Sequence, residues 1–262
     1  MKMTMRTTST FKEHTAFIGT YAAALLGCGA TCVRLEKNIG RIASAYGIEV
    51  EMTIMPRHIH LFMRDKSNGT SESAVIEPRK MPISFRCNTL LSRLSWEIAD
   101  GQIEFSGAGA ALQRAVSQPP RSKELVTFMV CCASASFCRL FGGDLAAMGV
   151  LMLSTCAGFM LRCHLLERKV DIRVVMFLCA LVSSVLGATD MLFSLGSTPE
   201  IALGTSVLYL VPGIPFLNAF SDVINRHYIC AFSRFMDAVV LTCCLSAGLC
   251  TGLLVMNAGM FR

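Results

Sequence analysis

Pro119-Pro-Arg-Ser-Lys-Glu-Leu-Val-Thr-Phe-Met-Val-Cys-Cys132 divides the chain into two unlike parts. Residues 1–121 hold 15 Lys/Arg and 10 Asp/Glu, whereas the longer remainder of the 262 residues holds only 9 and 8. With 53% hydrophobic and 16% charged residues and a mean hydropathy of +0.54, the whole lies outside the range of ordinary soluble domains, and the excess sits behind the Pro-Pro pair. The reading is a soluble α+β domain over 1–118 followed by an all-α membrane domain over 119–262.

The charge excludes some functions. A net charge of +6 is scattered rather than gathered into a basic stripe with aromatics, so nucleic acid is a poor partner. The 13 cysteines occur singly or as adjacent pairs (Cys131-Cys132, Cys243-Cys244), with no CxxC, and read as small hydrophobes in a reducing compartment. His58-x-His60 is the only close pair of metal-ligand type and fits an ordinary polar strand face; neither a metal nor a cofactor is expected. There is no GxSxG, P-loop or GxGxxG, and no nucleophile–base spacing, which argues against an enzyme.

Within the first part, Thr15 to Val33 is uncharged but rich in Thr, Gly, Ala and Cys. Its pattern runs on through Cys32, Leu35, Ile39, Ile42 and Tyr46 at spacings of three and four, which predicts one long helix lying on a sheet rather than a membrane span. Gly47 ends it. Ile48 to Met55 alternates as a half-buried strand, and Pro56-Arg57 turns the chain into a second strand, His58 to Met63. Ala74 to Glu77 and Ile83 to Arg86 read as shorter strands, and Asn88 to Ala99 and Ile103 to Ser117 as helices. Arg34 and Glu36 read as surface charges.

Behind the Pro-Pro pair, five segments are long enough to cross a bilayer, which takes about 20 residues at a rise of about 1.5 Å. They cover about 125–142, 145–162, 173–195, 201–225 and 229–257. Lys and Arg cluster at Arg114, Arg121 and Lys123, at Arg162, Arg168, Lys169 and Arg173, and at Arg226, while Ser194 to Glu200 has none. That bias places the N-terminal domain in the cytoplasm and Arg262 outside.

The most informative stretch is Leu208-Tyr-Leu-Val-Pro-Gly-Ile-Pro-Phe-Leu-Asn218. Pro212, Gly213 and Pro215 fall in the middle of the fourth span and must interrupt it, because each proline lacks a backbone donor. Freed backbone groups at membrane depth need protein or a wet cavity beside them, and transporters bind substrates at such breaks. Ionisable residues add a second signal. Asp190 lies in the third span near Asp144 and Arg139. Asp222 and Arg226 (i, i+4) and Arg234 and Asp237 (i, i+3) are spaced to pair along their own helices. Pro212, Gly213, Pro215, Asn218, Asp222, Asp190, Arg234 and Asp237 are the expected translocation residues. Gly248-x-x-x-Gly252 and Ser183, Ser184, Gly187 and Ala188 permit close helix contact, either inside the bundle or with another subunit.

Gly29-Ala30 with Arg34-Leu-Glu36, Ile39, Arg41-Ile42, Tyr46-Gly47 and the strand ending at Pro56 resemble the cytoplasmic domain of the threonine/serine exporter family, and Val211-Pro-Gly-Ile-Pro215, Asn218 and Asp222 resemble its membrane motif. The chain departs from the family at Thr31-Cys32-Val33, where many members carry a Glu and an aromatic. Fused members have about ten spans, so five spans are similar to the larger subunit of the two-component version. The resemblance implies proton-driven export of L-serine or L-threonine, or of a dicarboxylate such as succinate, across the bacterial inner membrane by a multi-pass protein working with a smaller five-span subunit. A membrane-anchored hydrolase and a regulatory or assembly subunit are the competing readings.

Overall fold

The computed structural model describes residues 2–79, 81–119, 121–193 and 196–260, with side chains over 10–79, 81–119, 121–193 and 196–256. Pro120, Ser194 and Arg262, placed above at the dividing Pro-Pro pair, in a connection without Lys or Arg and outside the membrane, lie outside the described residues. The chain clusters into two units: 1–119 with 216–235, and 120–215 with 236–262.

In the first unit, α1 (Lys2–Gly27) and α2 (Cys32–Ala45) are separate helices. The single long helix expected across Thr15 to Tyr46 is corrected here. Gly29 takes φ +90°, a left-handed conformation that a side chain resists, so the chain leaves one helix and starts another. The apolar stripe is nevertheless continuous in function. Ile18, Tyr21 and Leu25 of α1 and Leu35, Ile39 and Ile42 of α2 are all fully buried. Each aliphatic member contributes about 1.5–3 kcal/mol by leaving water.

The sheet they cover is an antiparallel meander of β1 (Ile48–Ile54), β2 (Ile59–Asp65) and β3 (Ser71–Ile76). The hairpin closes at Ile54↔Ile59 around Pro56-Arg57, as the alternation predicted. Ile59, Leu61 and Met63 turn inward on β2, while His58 and His60 stay exposed. The expected strand at Ile83 to Arg86 does not form. Ser84 instead caps α3 (Phe85–Ala99), its hydroxyl accepting from the Cys87 N–H, because a serine oxygen satisfies a helix-start donor that a strand would leave unused. α4 (Phe105–Val116) completes the layer.

A buried polar seam joins α1, α2 and α3. Tyr21 donates to the Leu91 carbonyl at 2.7 Å, Asn38 donates to the Tyr21 hydroxyl and to Ser92, and Arg41 donates to Asn38 and Ser95. Burial pushes the Tyr21 phenol above its usual range, so it stays neutral. Arg41 also stacks on Trp96 at 3.7 Å.

The second unit contains α5 (Lys123–Leu140), α6 (Leu145–Glu167), α7 (Ile172–Gly187), α8 (Thr189–Phe193), α9 (Pro199–Thr205) and a 3-10 turn at Leu208–Leu210. α10 (Gly213–Ile224) and α11 (Tyr228–Met260) run across the division between the units. Leu145–Glu167, Ile172–Phe193 and Tyr228–Met256 are long and apolar enough to cross a membrane, and a fourth span results if the bent pair Pro199–Leu210 and Gly213–Ile224 counts as one. Lys123–Leu140 is helical over 18 residues but lies outside that set.

The small residues of α6, α7 and α11 are used inside this unit. A Cβ on Gly248 would fall on the Phe177 carbonyl, and one on Gly252 on the Ser184 hydroxyl. Gly158 likewise leaves room for Tyr209 and Ser183, whose hydroxyls stand 2.9 Å apart. Ser183 in turn receives the Ser154 hydroxyl on its carbonyl at 2.8 Å. Of the two uses left open by the sequence, packing within the bundle is the one that these contacts serve.

A backbone carbonyl cannot swing aside as a side chain can. Gly248→Val is therefore expected to destabilise by about 1–3 kcal/mol or more. Thermal unfolding in detergent measures it, with Leu254→Ala, on a side chain 69% exposed, as the control that leaves the melting point in place.

Candidate functional site

The break in the fourth apolar segment is a division of labour between its two prolines. The 3-10 turn ends at Leu210, Val211 and buried Pro212 are non-helical, and the Gly213 N–H donates to the Val211 carbonyl at 2.8 Å. Pro215 then lies in the first turn of α10, where a missing N–H leaves nothing unpaired. The sequence predicted an interruption from both prolines; Pro212 makes it and Pro215 sits within the first turn of the helix beyond it.

Five residues beyond Gly213, the first of α10, polar side chains begin to converge on the link between α1 and α2. Asn218 donates its amide to the Gly29 carbonyl at 3.0 Å. One turn later Asp222, fully buried, accepts the Cys32 N–H on Oδ1 at 3.0 Å. Thr31 at the N-cap makes no side-chain cap bond, so Asp222 supplies from a distant helix the acceptor that the first N–H of α2 lacks. Its other oxygen, Oδ2, stands 2.8 Å from Arg234 Nη1. Neither atom of that ion pair has an aligned hydrogen bond, so the contact is one of charge rather than of donor geometry. Arg234 donates through Nη2 to the Ala30 carbonyl at 2.9 Å.

The pairings expected along single helices are corrected by this arrangement. Asp222 and Arg234 pair with each other across the α10–α11 turn. Arg226 instead closes α10 in a left-handed conformation, φ 65°, with its side chain exposed, and Asp237 is exposed on α11. The turn carries further contacts that sequence reading missed. His227 Nε2 lies 3.3 Å from the Glu36 carboxylate, an ion pair when the ring is protonated, and Cys230 donates to the Ile54 carbonyl at 3.2 Å. Glu36 is thus a partnered residue, not a bare surface charge. Cys32 is buried beside Cys230, and that sulfur contact, then burial, push its thiol pKa upward, so it stays a thiol. The only clue to this site in the sequence was that Gly29-Ala30 and Asn218…Asp222 both belong to the family pattern; nothing in either stretch says that they touch.

Asp190 belongs to the second unit. It is fully buried, Oδ1 accepts the Gly196 N–H at 2.9 Å, and Oδ2 has no hydrogen-bond partner among the described residues. Asp144, the N-cap of α6, accepts from the Ala147 N–H and also from the N–H and hydroxyl of Ser197, which follows Gly196; those donors hold its carboxyl below the usual range. Pro212, Gly213 and Pro215 form the break described above, so the expected site residues fall at the break, around Asp222 and Arg234 with Asn218, at Asp190 and, for Asp237, on an exposed face of α11. Among the described residues no group of three His, Cys, Asp or Glu is arranged to hold a metal.

Among the described residues, three helices long and apolar enough to cross a membrane, with a fourth if the two parts on either side of Pro212 count as one span, are the architecture of a multi-pass membrane protein. Residues 16–256 match the family model described as "Putative threonine/serine exporter" (ThrE), and the chain belongs to that family. It is similar to the Probable succinate transporter subunit YjjP of Escherichia coli (strain K12), 29% identical over 132 residues, covering 50% of this chain and 52% of that one. It is similar also to YjjP of Klebsiella aerogenes, 30% identical over 119 residues, covering 45% and 46%. The chain thus spans about half the length of the curated relatives it matches. No solved structure matches it.

Removing one partner of a buried ion pair leaves the other uncompensated. Arg234→Gln is expected to destabilise the protein by about 3–5 kcal/mol. Asp222→Asn combined with Arg234→Gln should recover most of that loss, and a double-mutant cycle by thermal unfolding reads the coupling. Strictly additive single effects would mean that the two charges do not sense each other.

Proposed function

We propose that the chain is one subunit of an inner-membrane exporter of small carboxylated metabolites: L-serine or L-threonine, or a dicarboxylate such as succinate. The observation that carries this reading is the buried Asp222–Arg234 pair on the helices that follow the Pro212 break, bound to the start of α2. A charge pair is costly inside a membrane protein and is retained where it does work. Family membership and the relatives' designation as a succinate transporter subunit support the substrate class.

The finer parts of the reading follow from it. Residues 1–118 form a cytoplasmic domain and 119–262 a membrane domain of five spans, with the C-terminus outside. A smaller five-span subunit supplies the rest of the pathway. Export is driven by the proton gradient, with Asp222 and the half-satisfied Asp190 as the groups that take and release the proton. Pro212, Gly213, Pro215 and Asn218 shape the pathway, and Arg234 and Asp237 line its charged end. The outward faces of α10 and the start of α11 are apolar, with Leu217, Phe220, Ile224, Tyr228 and Phe232 exposed by 62–71%, as surfaces covered by lipid or by a second membrane subunit are.

Proteoliposomes holding this chain with a co-encoded five-span protein should take up or release labelled serine, threonine or succinate when an inward-directed or outward-directed pH gradient is imposed, and either protein alone should not. Asp222→Asn is expected to abolish that flux while the protein still inserts. Full flux in that variant would remove Asp222 from the mechanism, and no flux of the three compounds under any gradient would overturn the substrate class.

A further inference from the structure

We propose that Asp222 occupies, from within the chain, a binding site for a small carboxylate anion, built from the Arg234 guanidinium and the Cys32 N–H at the start of α2; the inference rests on the transport reading above. Asp222 shows that a carboxylate fits. Its two oxygens reach two different donors, Cys32 N–H at 3.0 Å and Arg234 Nη1 at 2.8 Å, and both a helix start and a guanidinium take any carboxylate that reaches them. α2 is a 14-residue helix, long enough for its first N–H groups to attract negative charge.

Asp222 is nevertheless an imperfect ligand. Its Oδ2 is buried without a hydrogen bond, and the Arg234 Nη1 facing it is equally unaligned. With Oδ1 on the Cys32 N–H, the carboxylate meets the guanidinium through Oδ2 alone, whereas a free carboxylate can engage its planar fork with two parallel bonds. Access favours exchange at the arginine. The Arg234 side chain is 22% exposed while Asp222 is 0% exposed, so an anion meets the guanidinium first. The bond from Arg234 Nη2 to the Ala30 carbonyl, and that from Asn218 to the Gly29 carbonyl, hold donors and loop in place when the carboxylates change over. In the empty state Asp222 keeps the charge of Arg234 neutralised; a metabolite carboxylate takes over that role and releases α10 from the start of α2.

The test is calorimetric titration of the purified full chain with succinate, with neutral succinamide as the control and with serine and threonine alongside. Asp222→Asn keeps an acceptor for the Cys32 N–H but removes the internal competitor, and should bind succinate at least tenfold more tightly than the wild type. Asp222→Asn combined with Arg234→Gln, the double variant expected to regain stability, should lose binding, and succinamide should bind to none of them. Equal or weaker binding by Asp222→Asn, or binding by the double variant equal to that of Asp222→Asn, overturns the proposal. If Asp222→Asn does not fold, Asp222→Glu, whose extra methylene misplaces the carboxylate on both donors, should bind several-fold more tightly than the wild type, and no change overturns the proposal. The wild type offers a check without substitution: succinate should raise its melting temperature and succinamide should not, and an unmoved melting temperature at saturating succinate counts against the site. Binding that responds to Asp222 and Arg234 in a protein that carries no flux leaves the site standing and overturns the transport reading. Flux combined with binding that ignores both residues does the reverse.

Discussion

A carboxylate on one helix completing the start of another is the contact on which the first unit depends. Asp222 is 190 residues from Cys32 in the chain, yet its Oδ1 accepts the first N–H of α2, and Arg234 answers the charge that this places in the interior. A helix start needs acceptors, and Thr31 offers none through its side chain. The consequence is that 216–235, apolar enough on its outer face to belong with the spans, is built into the same unit as the sheet and its helices. Asn218, Cys230, His227 and Arg234 repeat the pattern with Gly29, Ile54, Glu36 and Ala30, so with Asp222 the attachment is distributed over five side chains and not left to one.

The apolar half is governed by a different constraint. Away from water every backbone donor and acceptor needs a partner inside the protein, and close helix packing is the way to supply contact without large side chains. Gly248 on the Phe177 carbonyl, Gly252 on Ser184 and Gly158 beside Tyr209 and Ser183 show how far that is taken. Pro212 costs a helical hydrogen bond, but placing Pro215 in the first turn of the next helix confines the interruption to two residues. In the same unit Asp190 is buried with one oxygen bound to the Gly196 N–H and the other without a hydrogen bond among the described residues.

Much of the fold was legible. The alternation of Ile48 to Met55 and the Pro56-Arg57 turn gave the hairpin, and the spacing from Leu35 to Ile42 gave the buried face of α2, because side-chain periodicity records which face leaves water. Two local readings gave way to local chemistry. Gly29 split one helix into two through a positive φ, and Ser84 turned an apparent strand into a helix cap. The candidate site was legible only as a set of residue types. Spacing suggested Asp222 with Arg226 and Arg234 with Asp237, since neighbours on one helix are all that spacing can see. The pair that forms runs across a turn.

The sequence by itself determined the division at Pro119-Pro120 in charge and hydropathy, the antiparallel hairpin, the interruption at Pro212 and the family, since each is written in composition, periodicity or a short motif. Only the tertiary structure decided that Asp222 and Arg234 belong together, that the small residues of α6, α7 and α11 pack on one another, and that Glu36 has a partner. The physical reason is range. Propensity and periodicity act within a few residues of each other, whereas a buried carboxylate must find its partners wherever folding brings them, and here folding brought Asp222 to a guanidinium across a turn and to the first N–H of a helix 190 positions away.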